Sequence, residues 1–265
     1  MNWFGRWRRA RILKLHAIPP EAFDASLAAL PILHRLNASE RGRLREAASL
    51  FIQDKTFSAA GGADVDDAIQ ISIALQACLL TLNLTEDSYH GWSEIILYPD
   101  EFLHPREEMD EAGVVHHSRD ILAGESWHGG PLILSLAAVT NGGQMDGVNV
   151  VLHEFAHKLD MLNGDANGFP PLHRGMDAVS WERDFSAAYA DLSARVDAGQ
   201  ATTIDPYATT NPAEFFAVLT EVFFETPRLL NREYPAIYRQ LQQFYRQNPL
   251  ACSPPKVTLE TYAPT

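Results

Sequence analysis

A chain of 265 residues with 46% hydrophobic and 21% charged side chains has the composition of a globular protein, which excludes a disordered chain. Its formal net charge of −13 argues against direct nucleic-acid binding, because neutralising phosphates requires a basic face. The two cysteines, Cys78 and Cys252, are far apart and outside a C-x-x-C spacing. They therefore indicate neither a thiolate zinc site nor a disulfide framework, and they fit a cytoplasmic location.

The predicted elements follow a basic tail at residues 1–19. This tail has no continuous apolar region and no small-residue cleavage site, so it is not expected to be a secretory signal. A basic, aromatic tail can contact anionic lipid or an acidic partner, but it can also be a solvated terminus. Its basic and aromatic residues are Arg6, Arg8, Arg9, Arg11, Lys14, Trp3, Phe4 and Trp7.

Residues 20–90 show helical periodicity and are predicted to form a helical lobe. Leu44, Ala48 and Phe51 are spaced to share one helix face, and a double glycine marks the break before the next helix. The most apolar stretch, residues 68–84, is interrupted by amide and hydroxyl side chains, so it is too polar to cross a bilayer. We expect a buried helix there and no transmembrane segment in the chain.

Residues 91–250 are predicted to form the catalytic region, and residues 251–265, which lack periodicity, to form a C-terminal tail. Short β-branched or leucine-rich runs predict a small mixed sheet. The PLILSL run is expected to form the sheet edge on which an extended peptide substrate lies, with an ordinary buried strand as the alternative. The runs are EIILYP from 94, GVVHH from 113 and PLILSL from 131.

Three helices are predicted inside the catalytic region. The segment GVNVVLHEFAHKLDML has helical periodicity, and Asp146 just before it is expected to be its N-cap. A second helix should begin at Asn211-Pro212, because asparagine is a good cap and a proline in the first turn has no amide hydrogen to lose. The third should span about residues 234–247.

The pentad from His153 to His157 has the H-E-x-x-H spacing of zinc peptidases. Two imidazoles four residues apart lie one above the other on a helix, so both can reach one ion at about 2 Å. Glu154 is rotated by about 100° from His153, which suits a general base better than a third ligand. The pentad could arise by chance on a helix surface, but the apolar stripe of this helix favours a zinc site.

A catalytic zinc site requires a third protein ligand. A metzincin would have glycine at position 160 and histidine at 163, whereas this chain has Asp160 and Asn163, so that class is excluded. The remaining common solution is a glutamate from a second helix. Composition does not distinguish between Glu214, Glu221 and Glu225. Asp160 could fix an imidazole tautomer by accepting its N–H, or it could be a solvated acid at the helix end.

The blocks HEFAHKLDMLNGD and YATTNPAEFFAVLTEVFFE resemble the Mlc titration factor A family of bacterial zinc peptidases. The second block also resembles the catalytic core of anthrax lethal factor. The resemblance covers most of the chain except its first twenty residues and the tail beyond Leu250. Further matching blocks are LYP near 97, GVVH at 113 to 116, GESW and GPLIL around 124 to 134, and QFYRQNPL at 243 to 250.

The predicted helices and small sheet, together with the resemblance, lead us to expect a mostly helical α+β fold of the gluzincin type with Zn2+ as cofactor. The resemblance implies that Tyr207 hydrogen-bonds the transition state and that Glu214 is the third zinc ligand. Glu221, two turns further along the same helix face, would then brace the site or face solvent.

The resemblance also points to His116, which matches a family histidine resembling an additional zinc ligand. A lone histidine in a strand is otherwise more often structural. Four protein ligands would close the coordination sphere, so we hypothesise that His116 caps the metal in a latent form and leaves before catalysis.

Three functions remain possible from the sequence. The resemblance implies a cytoplasmic, aminopeptidase-like activity on short peptide substrates, together with binding of the glucose-responsive repressor Mlc. Alternatively, the chain is a repressor-binding module whose metal site is residual or regulatory. The third possibility is a structural zinc protein.

Overall fold

The computed structural model describes residues 3–84, 88–99, 102–109, 115–122, 124–126 and 129–252, with backbone pairing alone described for the strands between 102 and 126. The helices are α1 (Trp3–Leu15), α2 (Pro20–Ala29), α3 (Ala38–Asp54), α4 (Asp67–Thr81), α5 (Leu136–Asn141), α6 (Val150–Asp160), α7 (Ala178–Asp197), α8 (Pro212–Glu225), α9 (Pro227–Glu233) and α10 (Pro235–Tyr245). The strands are β1 (Thr56–Ala59), β2 (Glu94–Tyr98), β3 (Phe102–Met109), β4 (Val115–Leu122), β5 (Gly124–Ser126) and β6 (Leu132–Ser135). No helix in these ranges combines the length and apolar character that a membrane crossing requires.

Four strands form a mixed sheet in the order β1-β2-β6-β5. β1, β2 and β6 are parallel, and β5 runs antiparallel to β6. The PLILSL strand therefore lies between two neighbours, so its prediction as a sheet edge was wrong. Its continuous apolar pattern is typical of a central, buried strand, and both Leu132 and Leu134 are fully buried.

β3 and β4 form a separate antiparallel ribbon whose register runs from Phe102 opposite Leu122 to Met109 opposite Val115. His116 lies in β4 with its backbone opposite Glu108. The side chain of His116 is outside the described part of the structure, so its proposed contact with a metal stays a prediction.

The helices of residues 20–90 share a core with the catalytic region. Phe155 of α6 packs edge-on against Phe51 of α3 and against Tyr89, with ring centroids 5.6 Å and 5.0 Å away. β1 also lies within this part of the chain and pairs with β2. The helical pattern gave no sign of this strand, because four residues are too few to show a period of two.

Residues 3–15, for which the sequence pattern gave no element, form helix α1. Arg8 and Arg9 make ion pairs with Asp54 and Glu46 of α3. Ile12 is buried on the same side. These contacts fix α1 on the surface of α3.

α6 begins one turn later than the sequence predicted. Its N-cap is Asn149, whose Oδ1 accepts the amide of Leu152 at 3.0 Å. Asp146 accepts the amide of Val148 instead. Gly147 has a φ of 105°, a left-handed conformation that cannot belong to the helix, and this excludes Asp146 as the cap.

α8 begins where the sequence predicted. Asn211 is the N-cap, and its Oδ1 accepts the amides of Ala213 and Glu214 at 2.9 Å and 3.0 Å. Pro212 occupies the first turn, where a missing amide hydrogen costs nothing. The cap therefore fixes the backbone of Glu214 itself.

The loop after α6 is tied to the start of α8 through Gly168. Asp160 Oδ2 accepts the amides of Asn167 and Gly168 at 2.8 Å and 2.6 Å, and Gly168 has a left-handed φ of 77°. A Cβ at position 168 would lie 2.4 Å from the carbonyl oxygen of Pro212. Only glycine allows this close approach of the two backbones.

Gly168→Ala is therefore expected to lower the free energy of unfolding by at least about 3 kcal/mol, since the left-handed φ and the backbone clash both oppose a Cβ. Gly199→Ala is the matched control: Gly199 has a φ of 66°, but a Cβ added there would meet nothing within 4 Å. The control should lose only about 1 kcal/mol. Equal losses in urea denaturation would contradict a packing role for Gly168.

Candidate metal centre

Three potential metal ligands from α6 and α8 meet at one point. The Nε2 atom of His153 lies 2.9 Å from Glu214 Oε2 and 3.2 Å from the Nε2 atom of His157. His157 Nε2 lies 3.3 Å from the same oxygen of Glu214. Among the residues that the structure describes, these three form the group whose geometry could hold a metal ion.

The triangle of ligand atoms has the size that zinc requires. A tetrahedral ion with bonds of about 2.0–2.1 Å holds its ligands about 3.3 Å from one another. The three separations in this protein, 2.9, 3.2 and 3.3 Å, are close to that value. Two imidazole nitrogens and one carboxylate oxygen are also a donor set typical of zinc.

The charges around the triangle also favour a cation. Burial would raise the pKa of Glu214, but the hydrogen bonds with His153 and His157 outweigh it and hold that pKa far below its usual value. Burial alone would lower the pKa of His153, whereas hydrogen bonds to Glu214 and Glu221 and the charge of Glu154 raise it well above 6.5. Three carboxylates thus surround two imidazoles, an excess of negative charge that a divalent cation would neutralise.

The three glutamates that the sequence left as alternatives have three different partners. Their spacing of seven and eleven residues places Glu214, Glu221 and Glu225 on one face of α8, which lies along α6. Glu214 approaches the two Nε2 atoms of His153 and His157, Glu221 contacts His153 Nδ1, and Glu225 contacts Asn149. The order of these contacts shows that α6 and α8 are antiparallel.

Glu221 orients the first histidine. His153 Nδ1 lies 2.8 Å from Glu221 Oε1, so the Nδ1–H can donate to this carboxylate while Nε2 faces Glu214 and the candidate metal position. The other carboxylate oxygen, Oε2, accepts the backbone amide of Asn149. A carboxylate that accepts the second N–H of a ligating imidazole fixes its tautomer and raises its basicity. Glu221 therefore braces the site, one of the two possibilities that the sequence left open.

Asn149 joins this brace to a second glutamate of α8 and to one further helix, α4. Its side-chain amide donates to Gln76 Oε1 of α4 and to Glu225 Oε1 of α8, each at 2.8 Å, while its Oδ1 caps α6. Asn149 and Gln76 are fully buried, and burial raises the pKa of Glu225 to about 7. The backbone amide and the side chain of Asn149 thus hold α4, α6 and α8 together next to His153.

His157 differs from His153 in having no carboxylate at its Nδ1 atom among the described residues. Its Nδ1 atom is buried with no hydrogen-bond partner among the described residues, and so is Asp160 Oδ1. The other oxygen of Asp160 accepts the loop amides of Asn167 and Gly168 rather than an imidazole N–H. Burial raises the pKa of Asp160, and the nearby His157 opposes that rise. Asp160 therefore lies close to His157 but binds the loop, so it is not a solvated acid.

Glu154 is buried on α6, with 4% of its surface exposed. One turn further on, Lys158 donates to the carbonyl oxygen of Gly130 at 3.0 Å, and its amine lies 4.7 Å from the centroid of the Trp92 ring. Burial lowers the pKa of Lys158 to about 8, although the charge of Glu154 opposes this shift. The charge of Glu154, the proposed general base, thus acts on both Lys158 and His153.

Tyr207 lies at the solvent side of the site. Its ring centroid is 6.1 Å from that of His153, and 43% of its surface is exposed. A short 3-10 turn, Pro206–Thr209, carries it, and Asp205 caps this turn through the amide of Tyr207. The phenol is therefore close to the imidazoles and accessible to a bound molecule.

The sequence interpretation missed Asn149 and Gln76. Asparagine immediately before VVLHE is a cap residue, which could have signalled the start of the helix, but Asp146 three residues earlier carries the same signal. Gln76 is one of the amide side chains that interrupt the apolar stretch at residues 68–84, where they exclude a membrane span. Its partner lies 73 positions away, so no local pattern could identify it.

A mostly helical chain around a small mixed sheet, with potential metal ligands between two buried helices, has the α+β architecture of a metallopeptidase. Comparison with known proteins agrees with this class. Residues 4–246 match the model of the family described as glucose-regulated metallo-peptidase M90, which implies a divalent metal.

Several Mlc titration factor A proteins are similar to the chain over most of its length. The protein of Escherichia fergusonii is 39% identical over 224 residues, which cover 84% of each chain. That of Salmonella arizonae is 40% identical over 226 residues, covering 83% of this chain and 89% of the relative. That of Salmonella gallinarum is 41% identical over 226 residues, covering 83% and 84%. The chain therefore belongs to the Mlc titration factor A family of M90 metallopeptidases.

Asn149→Asp tests the network behind His153. Aspartate keeps the cap acceptor but removes two donors and adds a carboxylate beside Glu221 and Glu225. We expect metal affinity to fall about 10–100-fold, and the free energy of unfolding to fall by about 2–4 kcal/mol. Competition with a chromogenic chelator and urea denaturation measure the two effects.

The double variant Asn149→Asp/Glu225→Gln is the matched control. Its new amide at position 225 can donate to the new carboxylate at 149, and the number of acidic groups returns to its original value. Much of the lost metal affinity should return. If the single variant binds metal as tightly as the unmodified chain, the network does not position His153.

Proposed function

We propose that this protein is a zinc-dependent peptidase that hydrolyses peptide bonds with water. The observation that carries the proposal is the convergence of His153 Nε2, His157 Nε2 and Glu214 Oε2 within 2.9–3.3 Å of one another. Three protein ligands are the number that catalytic zinc sites use, with a fourth position left for water or substrate.

Each residue of the site has a distinct role in the proposed reaction. Zinc, when bound, supplies Lewis acidity, which acidifies a water molecule and polarises the scissile carbonyl. Glu154 accepts the proton of the attacking water and passes it to the leaving amine. The Tyr207 hydroxyl donates a hydrogen bond to the oxyanion of the tetrahedral intermediate, for which its exposure and its proximity to His153 are suitable.

The substrate of this reaction is proposed to be a short, extended peptide cleaved in an aminopeptidase-like manner. β5 is an edge strand of the mixed sheet, and it contacts α6. An edge strand has free backbone groups that can pair with an extended chain and hold it in register. β5 thus replaces β6 as the proposed substrate strand.

His116 remains a proposed fourth metal ligand, which would cap the metal in a latent form of the protein.

A second proposed function is the binding of an Mlc-type repressor in the cytoplasm. The relatives' name, Mlc titration factor A, describes titration of Mlc and supports this proposal. If repressor binding is the function and the metal site is latent, substitutions of the proposed metal ligands should leave repressor binding intact, whereas a structural metal would make binding depend on them. Titrating purified Mlc with the unmodified chain and with Glu214→Ala distinguishes a separate binding surface from one that needs the metal.

Glu154→Gln tests the peptidase proposal. The amide cannot accept a proton, so the rate of hydrolysis should fall by about 10²–10⁴-fold while bound zinc stays at the level of the unmodified protein. Fluorogenic peptides measure turnover, and elemental analysis measures zinc.

Glu182→Gln, a change of the same kind at an exposed position of α7, serves as the control and should keep full activity. Full turnover by Glu154→Gln would reject the assigned role. Absence of turnover in the unmodified, zinc-loaded chain across a broad peptide panel would favour the repressor-binding or structural alternatives.

A further inference from the structure

The outward surface of α1 combines positive charge with exposed apolar side chains. Within its 13 residues the helix carries five basic residues and no acidic one, in a chain whose net charge is −13. Trp3, Trp7 and Leu15 are 71%, 53% and 59% exposed, and they account for three of the seven exposed large hydrophobic residues of the described chain. Such a concentration of exposed indoles usually marks an interaction surface.

These residues lie on one side of the helix. At 100° per residue, Trp3, Trp7, Arg11 and Lys14 fall within about a quarter turn, and Arg6 and Leu15 flank them. The Arg11 guanidinium lies 5.5 Å from the centroid of the Trp7 ring. We call this surface the α1 outer face; its members are Trp3, Arg6, Trp7, Arg11, Lys14 and Leu15, all exposed.

The opposite side of α1 is occupied by the protein itself. Arg8 and Arg9 pair with Asp54 and Glu46, and Ile12 is buried. Arg6, Arg11 and Lys14 form no ion pair with the residues that the structure describes. The ion pairs therefore divide the basic residues into two that attach the helix to α3 and three that project from it.

We propose that the α1 outer face binds the surface of an anionic lipid bilayer. Cations in this arrangement attract anionic headgroups, and tryptophan is the side chain best suited to the boundary between headgroups and acyl chains. A helix whose exposed side chains share one face can lie along a flat, chemically uniform surface. The large negative charge of the rest of the chain would repel that surface, so the α1 outer face also determines the orientation of the bound protein.

Vesicle flotation of the full chain tests this proposal. Vesicles of phosphatidylglycerol and phosphatidylcholine in equal amounts should bind the protein at low salt and release it as salt screens the charges, whereas phosphatidylcholine alone should bind far less. Tryptophan emission should shift to shorter wavelength on binding, and Trp3→Ser/Trp7→Ser should abolish that shift.

Arg6→Glu/Lys14→Glu should reduce the partition coefficient on phosphatidylglycerol vesicles by at least about 100-fold, because each unit of charge near such a surface contributes about fivefold and the two reversals change the charge by four units. Arg174→Glu/Arg239→Glu changes the net charge equally at exposed positions outside α1 and should reduce it by less than about 10-fold.

Three results of the vesicle experiments would overturn the proposal, and a fourth would come from sedimentation. The three vesicle results are no binding of the unmodified chain at low salt, equal binding to the two kinds of vesicle, and equal losses in the two charge-reversal variants. If the α1 variants change self-association in sedimentation experiments but leave vesicle binding unaltered, the α1 outer face joins copies of the chain and the lipid proposal fails.

Discussion

The antiparallel packing of α6 against α8 is the constraint on which the site depends. The hydrogen bonds made by Asn149 and Glu221 fix the start of α6 and the ring of His153 relative to α8. The cap at Asn211 fixes the first turn of α8, which carries Glu214. Because the potential metal ligands come from two helices, a small change in the position of either helix would separate the Glu214 carboxylate from the imidazoles.

This polar framework is buried within an apolar core, which makes its hydrogen bonds both strong and necessary. Asn149 is fully buried, and an unsatisfied polar group there would cost about 1–3 kcal/mol. The carboxylates of Glu214 and Glu221 lie 2.9 Å and 2.8 Å from the nitrogens of His153, and a bound cation would balance negative charge at this position. The same arrangement therefore accounts for the helix geometry and fits the divalent metal that the family implies.

The sequence predicted those features that depend on short spacings. The histidines four residues apart and the Asn211-Pro212 helix start both follow from local backbone geometry. The choice of Glu214 among three glutamates required the family resemblance, because all three lie on the same helix face. The central position of β6 and the contact between Asn149 and Gln76 depend on partners distant in sequence, so periodicity alone could not reveal them.

The most direct test of this account is a crystal structure of the zinc-loaded protein with anomalous data on both sides of the zinc absorption edge. The account predicts one zinc peak between α6 and α8, at about 2.0–2.2 Å from His153 Nε2, His157 Nε2 and an oxygen of Glu214. A peak that lacks the Glu214 carboxylate, or zinc bound elsewhere in the chain, would contradict it.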